Sequence, residues 1–281
     1  MTRLALRGTA ASIILAIALA VLTSAPAGAA PGKDGIAESG WAASPPKIDG
    51  KRDDWEGAAF SRWDKGDVAY AFRNDGDRLY VLLVFHDPKF LSTATQTGIR
   101  LYFSAAGKKD KGRAVQCARR QVPAEEAIAF IGREREMSEE EKAQLRAKPA
   151  YNIYDCQVLD KKGKPLADQP EPEPGSGPAH FRFAPDQKTI VFEFDFPLVR
   201  GQEPAVGVGA EPGREITVGF EWGWPSDEQR KKAALAAGQA GIANEEGSRG
   251  SVDRMDGVRR GGLPPKYAFW TGVRLAASAG S

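Results

Sequence analysis

The feature that most narrows what this chain can become lies between residues 68 and 85. Val68-Ala69-Tyr70-Ala71-Phe72-Arg73 is followed by Asn74-Asp75-Gly76-Asp77 and then by Leu79-Tyr80-Val81-Leu82-Leu83-Val84-Phe85. Two runs rich in β-formers around a cluster of turn residues predict a β-hairpin, because Asn, Asp and Gly accept the backbone angles of a tight turn at little cost. The second arm is apolar at nearly every position. A strand with one wet face would alternate, so this arm is expected to be covered on both faces and to run centrally in its sheet.

The rest of the chain extends the same theme. Residues 99–103, 152–159, 181–183, 216–224 and 267–275 read as further strands, and a short strand is expected at Pro46-Lys47-Ile48-Asp49-Gly50. Residues 189–196 alternate cleanly, with Ile190, Phe192, Phe194 and Phe196 on one face and Glu193 and Asp195 on the other, which predicts one core face and one wet face. Residues 88–98 are expected to be a Thr-rich loop. Helices are expected only in connections. Ser138 with Glu141 forms a capping box inside the charged stretch 121–149, and Ser226 with Gln229 opens an Ala-rich stretch ending near 241. Strands bounded by turns, with helices only as insertions, predict a mainly β fold: a two-sheet antiparallel β-sandwich of jelly-roll or immunoglobulin-like kind.

The N-terminus has its own signature. Arg3 and Arg7 precede an apolar run over residues 10–22 and the small residues Ala27-Gly28-Ala29, the pattern of a cleaved secretory signal peptide over residues 1–29. A linker over 30–43, one domain over 44–276 and a tail over 277–281 complete the expected organisation, with the product secreted or periplasmic. Removing the leader takes Arg3 and Arg7 from the 39 basic residues and none of the 37 acidic ones, so the remainder is formally neutral. Without a net basic field, no nucleic-acid partner is expected. The basic clusters at 108–111, Arg119-Arg120 and Arg259-Arg260 read as solvated loops. No later stretch is long and apolar enough for a membrane span. Two cysteines, Cys117 and Cys156, in an exported chain are expected to pair and to tie the base of the 121–149 insertion.

Lys47-Ile48-Asp49-Gly50 with Asp53, Asp54 and Trp55, then Leu79-Tyr80-Val81 and His86-Asp87-Pro88, resembles the family 9 carbohydrate-binding modules and their DOMON-like relatives. The strand ending Pro197-Leu198 and the closing Trp270-Thr271-Gly272-Val273-Arg274-Leu275 fit the same pattern, so the resemblance spans most of 44–276. It implies a β-sandwich that binds sugar ends or, in some branches, haem, with structural calcium in several members. Arg100 stands where the sugar-binding branch tends to carry an acid.

Sugars are held by aromatic rings against their C–H faces and by charged or amide groups on their hydroxyls. Arg100, Glu221, Trp222, Trp224 and Trp270 are the candidate ligand-binding residues on that chemistry. For Trp222 and Trp224, two apart on one strand face, core is the simpler reading. Asp49, Asp53 and Asp54, or Asp75 and Asp77, could hold calcium, although Asp75-Gly76-Asp77 is also what a tight turn uses. Trp55 and Trp63 are expected to be structural. His86 and His180 are the only histidines. A haem cofactor, the alternative to a sugar ligand, would use His86 with Met137 or Met255. No Gly-x-Ser-x-Gly, His-Glu-x-x-His or phosphate loop occurs, so no catalytic residues are expected. The expectation is an exported non-catalytic domain for a carbohydrate-like ligand, in the manner of an accessory module to a carbohydrate-active enzyme system. A structural role, with the 121–149 insertion meeting a protein partner, is the remaining alternative.

Overall fold

The computed structural model describes residues 35–112, 114–133, 135–169, 177–198, 207–223 and 266–278. The expected leader, Trp224, the helix over 226–241 and Met255 lie outside the described residues.

The class is mainly β, as expected. The central hairpin is formed by β3 (Val68–Asn74) and β4 (Arg78–Phe85), paired antiparallel from Val68↔Phe85 to Asn74↔Leu79. β4 is flanked on its other side by β9 (Thr189–Pro197), which pairs with β8 (His180–Asp186). β2 (Ser61–Trp63) pairs with β3. The other half contains β5 (Ile99–Ala105), β6 (Ala114–Pro123), β7 (Ala150–Val158), β10 (Glu215–Trp222) and β11 (Tyr267–Arg274), in the order β7-β6-β5-β10-β11.

One strand departs from the expected pair of antiparallel sheets. β1 (Ile36–Trp41) pairs in parallel with β11 through Ile36, Ala37 and Glu38, and in parallel with β3 through Ser39, Gly40 and Trp41. A single strand thus joins the two halves into one path, and the sheet is nearly closed and barrel-like. At the other end of the path the Tyr154 ring of β7 meets Phe181 and Phe183 of β8, with centroids 5.5 and 5.4 Å away. Residues 30–43, read as linker, therefore contain a sheet strand. The misreading has a physical cause: Ile36-Ala37-Glu38-Ser39-Gly40 has few β-formers, and its place is fixed by partners rather than by its own propensity.

Both inner faces meet in one core. Phe72, Val81, Phe85, Phe192, Phe194 and Phe196 from one half pack with Leu101, Phe103, Val218, Phe220, Trp222 and Phe269 from the other. Each buried phenyl group contributes roughly 2 kcal/mol by leaving water. Every residue of β4 after Arg78 is buried, which agrees with its unbroken apolar run.

The second covering of β4 corrects the reading of β9. Glu193 is 0% exposed and Asp195 9%, so the outer face is not wet. Trp55, with Ile48, Ala58 and Phe60 beside it, lies over Ala71, Leu82, Val84 and Val191. The segment 45–60 forms no strand at 46–50 and instead folds across this face. Gly50 has φ +84, and a Cβ there would come within 2.6 Å of the Ala184 amide nitrogen, so the segment can approach the sheet this closely only with glycine.

Three helices are described. Residues 88–98, read as a loop, form α1 (Pro88–Thr97), capped by the Asp87 carboxylate accepting from the Lys89 N–H, with Pro88 opening the first turn. The 121–149 insertion begins later than expected, because Gln121, Val122 and Pro123 complete β6. It comprises α2 (Ala124–Gly132) and α3 (Glu139–Arg146), and the Ser138–Glu141 capping box is present. Cys117 and Cys156 are opposed in the β6–β7 pair and form a disulfide at the base of this insertion.

Candidate ligand-binding face

The outer face of β5, β10 and β11 brings together most of the expected site. Pairing sets three rows across the strands: Arg100–Glu221–Ala268, Tyr102–Gly219–Trp270 and Ser104–Thr217–Gly272. Because side chains alternate, these rows point away from the core that Val218, Phe220 and Trp222 enter from the same strand.

The middle row forms an aromatic platform. Trp270 and Tyr102 approach to 5.6 Å between ring centroids at an angle of 30°, and the Trp270 ring lies over Gly219. A Cβ on Gly219 would sit 2.6 Å from the Trp270 ring, so the missing side chain is what lets the indole lie down on the sheet. Trp270 is half-buried, while Tyr102 beside it is buried with Ala114 and Leu159. Burial pushes the Tyr102 hydroxyl up to about 12, with the Glu221 charge adding to the effect. Beside Trp270 lies an open groove of about 350 Å³ lined by Ile36, Lys109, Thr217 and Gly272.

The charged row centres on Glu221, 1% exposed. Lys111 Nζ and Lys266 Nζ each lie 2.9 Å from its carboxylate, and an Arg100 guanidinium nitrogen lies 3.6 Å away. Burial acts to raise the Glu221 carboxyl, and Lys111 and Lys266 overcome it, holding the group below the usual carboxylate range. Arg100 also donates from Nε to Gln116 at 3.2 Å, and the Gly163 turn covers it. Lys111 places its ammonium 5.2 Å from the Tyr102 ring centroid. Glu221 and Arg100 are thus sequestered, while the half-exposed ends of Lys111 and Lys266 reach the surface.

The expected residues therefore divide. Arg100, Glu221 and Trp270 share one face. Trp222 does not: it is fully buried, with Phe85, Trp63, Tyr267 and Phe90 rings between 5.2 and 6.1 Å away, and it has no open face for a ligand. Its position on the inward parity of β10, opposite to Glu221, is the reason. Sequence reasoning missed Tyr102, Lys111, Lys266 and Gly219. Tyr102 sits two positions after Arg100 on the same strand, and that spacing was the available signal.

The acids proposed for calcium are not drawn together. Asp54 accepts from the Lys47 N–H and Asp49 from the Lys51 N–H, each within its own turn, and among the described residues no three potential ligands converge. Asp75 serves the hairpin turn, accepting from the N–H groups of Asp77 and Arg78. The Lys47–Trp55 motif instead encloses Glu193. Its carboxylate accepts from the backbone N–H groups of Asp49, Gly50 and Lys51 at 2.9, 2.6 and 3.2 Å and from Trp55 Nε1 at 2.7 Å. Of the residues considered for haem, His86 has its Nδ1 3.1 Å from the Asp67 carbonyl at the end of β4, and Met137 lies between α2 and α3. No helix among the described residues is long and apolar enough to cross a membrane.

No protein-family model and no curated protein matches the chain. Among solved structures, the chain is similar to a family 9 carbohydrate-binding module from Caldicellulosiruptor kristjanssonii in complex with cellotriose, at 10% identity and a TM-score of 0.33 over 68% of this chain and 78% of that one. The same module in complex with glucose gives 9% identity and a TM-score of 0.32 over 68% and 79%.

Proposed function

We propose that this chain is an exported, non-catalytic binding module that holds a saccharide on the outer face of β5, β10 and β11. The observation that carries the reading is the Trp270 indole, laid on Gly219 beside Tyr102 at the wall of an open groove. An indole face stacks on the C–H face of a pyranose, and a rigid ring whose underside is already packed loses little entropy on binding. Thr217 in the groove and the ammonium groups of Lys109 and Lys111 stand within the same patch to meet hydroxyls. Export is supported by the leader-like residues 1–29 and by the Cys117–Cys156 disulfide, which persists in an oxidising compartment.

The test is glycan binding by the purified chain, followed by titration calorimetry on the best saccharide. Trp270→Ala is expected to abolish binding while leaving the thermal unfolding cooperative. Gly219→Ala is expected to weaken binding by about tenfold, the equivalent of 1.4 kcal/mol, by lifting the indole off the sheet. Unchanged binding in Trp270→Ala would move the site elsewhere, and absence of any glycan binding would remove the reading.

A further inference from the structure

The chain is near neutral overall, yet the surface around Trp270 is not. One carboxylate, Glu221, is shared among Arg100, Lys111 and Lys266. The β5–β6 turn adds the exposed Lys108 and Lys109, and the turn after β7 adds the exposed Lys161, Lys162 and Lys164. The acids within these turns are engaged locally. Asp110 accepts from the Gly112 N–H, and Asp160 accepts from the N–H groups of Lys162 and Lys164. For the five turn lysines no carboxylate partner is found among the described residues.

The two turns converge on the platform. Gly163 lies against the Arg100 guanidinium, where a Cβ would come within 2.9 Å of it. Lys108, Lys111 and Lys161 line a single pocket of about 1060 Å³, while Lys109 shares the smaller groove with Trp270. Asp110, Glu211 and Glu215 also line the larger pocket and Glu215 reaches the Trp270 groove, but Glu215, with Glu38, is paired to Arg274, and Glu211 to Arg214. Arg100, Lys111, Lys266 and the five turn lysines thus outnumber Glu221, Asp110, Asp160 and the Arg274-paired Glu215, and the surface around Trp270 is positive.

We propose that the ligand of this face is an acidic saccharide, bearing uronate or sulfate groups, whose sugar ring stacks on Trp270 while its anions meet the lysines of the two turns. This inference rests on the saccharide-binding reading above. Carboxylate or sulfate would be attracted by the cations that Glu221 leaves uncompensated, and lysines on turns can follow anions whose spacing varies. A single-stranded nucleic acid would use the same chemistry, but such sites stack successive bases on several rings along a basic track. Here Tyr102 is buried, so of the two rings on this face only Trp270 borders the open groove.

The experiment is titration of the full purified chain with a neutral cello-oligosaccharide, an oligogalacturonate, a heparin-derived oligosaccharide and a thymidine oligomer, at low and high salt. At least one acidic oligosaccharide is expected to bind at least about tenfold more tightly than the neutral one, with the preference shrinking at high salt. Whichever binds better tells uronate from sulfate. The double variant Lys109→Glu with Lys162→Glu, at two exposed positions, is expected to weaken that binding by more than about tenfold. Trp270→Ala is expected to abolish it. If the neutral oligosaccharide binds equally well and the charge reversals change nothing, the acidic-ligand inference is overturned while saccharide binding stands. If no oligosaccharide binds, both fall. Tighter binding of the thymidine oligomer, or acidic binding indifferent to Trp270→Ala, would overturn the inference in favour of nucleic acid or of unspecific attraction.

Discussion

Glu193 and Glu221 occupy comparable places, each on the outer face of a middle strand in one half of the sheet, and each is almost fully buried. Their charges are accommodated in opposite ways. Glu193 is held by dipoles alone, three successive backbone N–H groups and an indole N–H. Glu221 is held by three full cations. Neutral donors do not cancel the charge of Glu193, whose carboxyl burial raises, but they let the site be closed over as a clasp for the segment 45–60. Cations in excess cannot be closed over without a large desolvation cost, so the Glu221 site keeps two lysine ends in water. The difference separates the half closed by the 45–60 segment from the half that carries the proposed binding face.

The largest expected effect breaks the clasp. Glu193→Ala would leave the N–H groups of Asp49, Gly50 and Lys51 and the Trp55 indole without their acceptor, those of Gly50 and Trp55 fully buried. At about 1–3 kcal/mol for each group that water cannot reach, and with partial relaxation, a loss of about 3–5 kcal/mol is expected. Urea unfolding measures it, and a loss below about 1 kcal/mol would show that the segment is held by packing alone. Next in size is the half that carries Glu221, whose outer hairpin is closed covalently. Replacing Cys117 and Cys156 by Ser is expected to cost about 2–4 kcal/mol. The loss should appear without change in binding at the proposed saccharide face, because the disulfide lies beyond β5 from Trp270.

A smaller effect sharpens the same contrast. Glu221→Ala frees Lys111 and Lys266 to turn into water and leaves Arg100 its bond to Gln116, so a loss of about 1–2 kcal/mol is expected, less than at Glu193. A greater loss than for Glu193→Ala would reverse the assignment of the two halves.

How far the sequence reveals this arrangement depends on whether the signal is local. The β3–β4 hairpin, the burial of β4 on both faces, the Ser138 capping box and the disulfide were legible because turn chemistry, unbroken apolarity, capping and cysteine count act within a few residues or within a known compartment. Alternation in β9 placed Phe192, Phe194 and Phe196 correctly in the core but could not reveal that Trp55 covers Glu193, since the contact spans 138 residues. The same limit applied to β10, where parity alone puts Trp222 and Glu221 on opposite faces but does not say which face is open. α1 is locally signalled, since Asp87-Pro88 is a helix-opening pair, although the threonines that follow are β-branched and weak helix formers. β1 could not, because its parallel partners lie at both ends of the chain's path.

The finest test is the sign of the pH dependence at the two sites. Burial raises the Glu193 carboxyl above its usual range despite its four donors, whereas Lys111 and Lys266 hold Glu221 below it. An unfolded glutamate titrates near about 4.3. For Glu221 the folded state binds fewer protons than the unfolded one around that value, so its contribution is present above it and is lost as the pH falls through the lower folded value. For Glu193 the folded state binds more protons, so its contribution is complete below the unfolded value and is lost as the pH rises through the higher folded value. Urea unfolding of wild type, Glu193→Gln and Glu221→Gln across the acidic range should therefore give difference profiles of opposite slope. The advantage of wild type over Glu221→Gln should grow toward neutral pH, and its advantage over Glu193→Gln should shrink. Slopes of the same sign would mean that cations and dipoles hold the two carboxylates alike, and the contrast between a clasp and a charged binding face would then have no electrostatic basis.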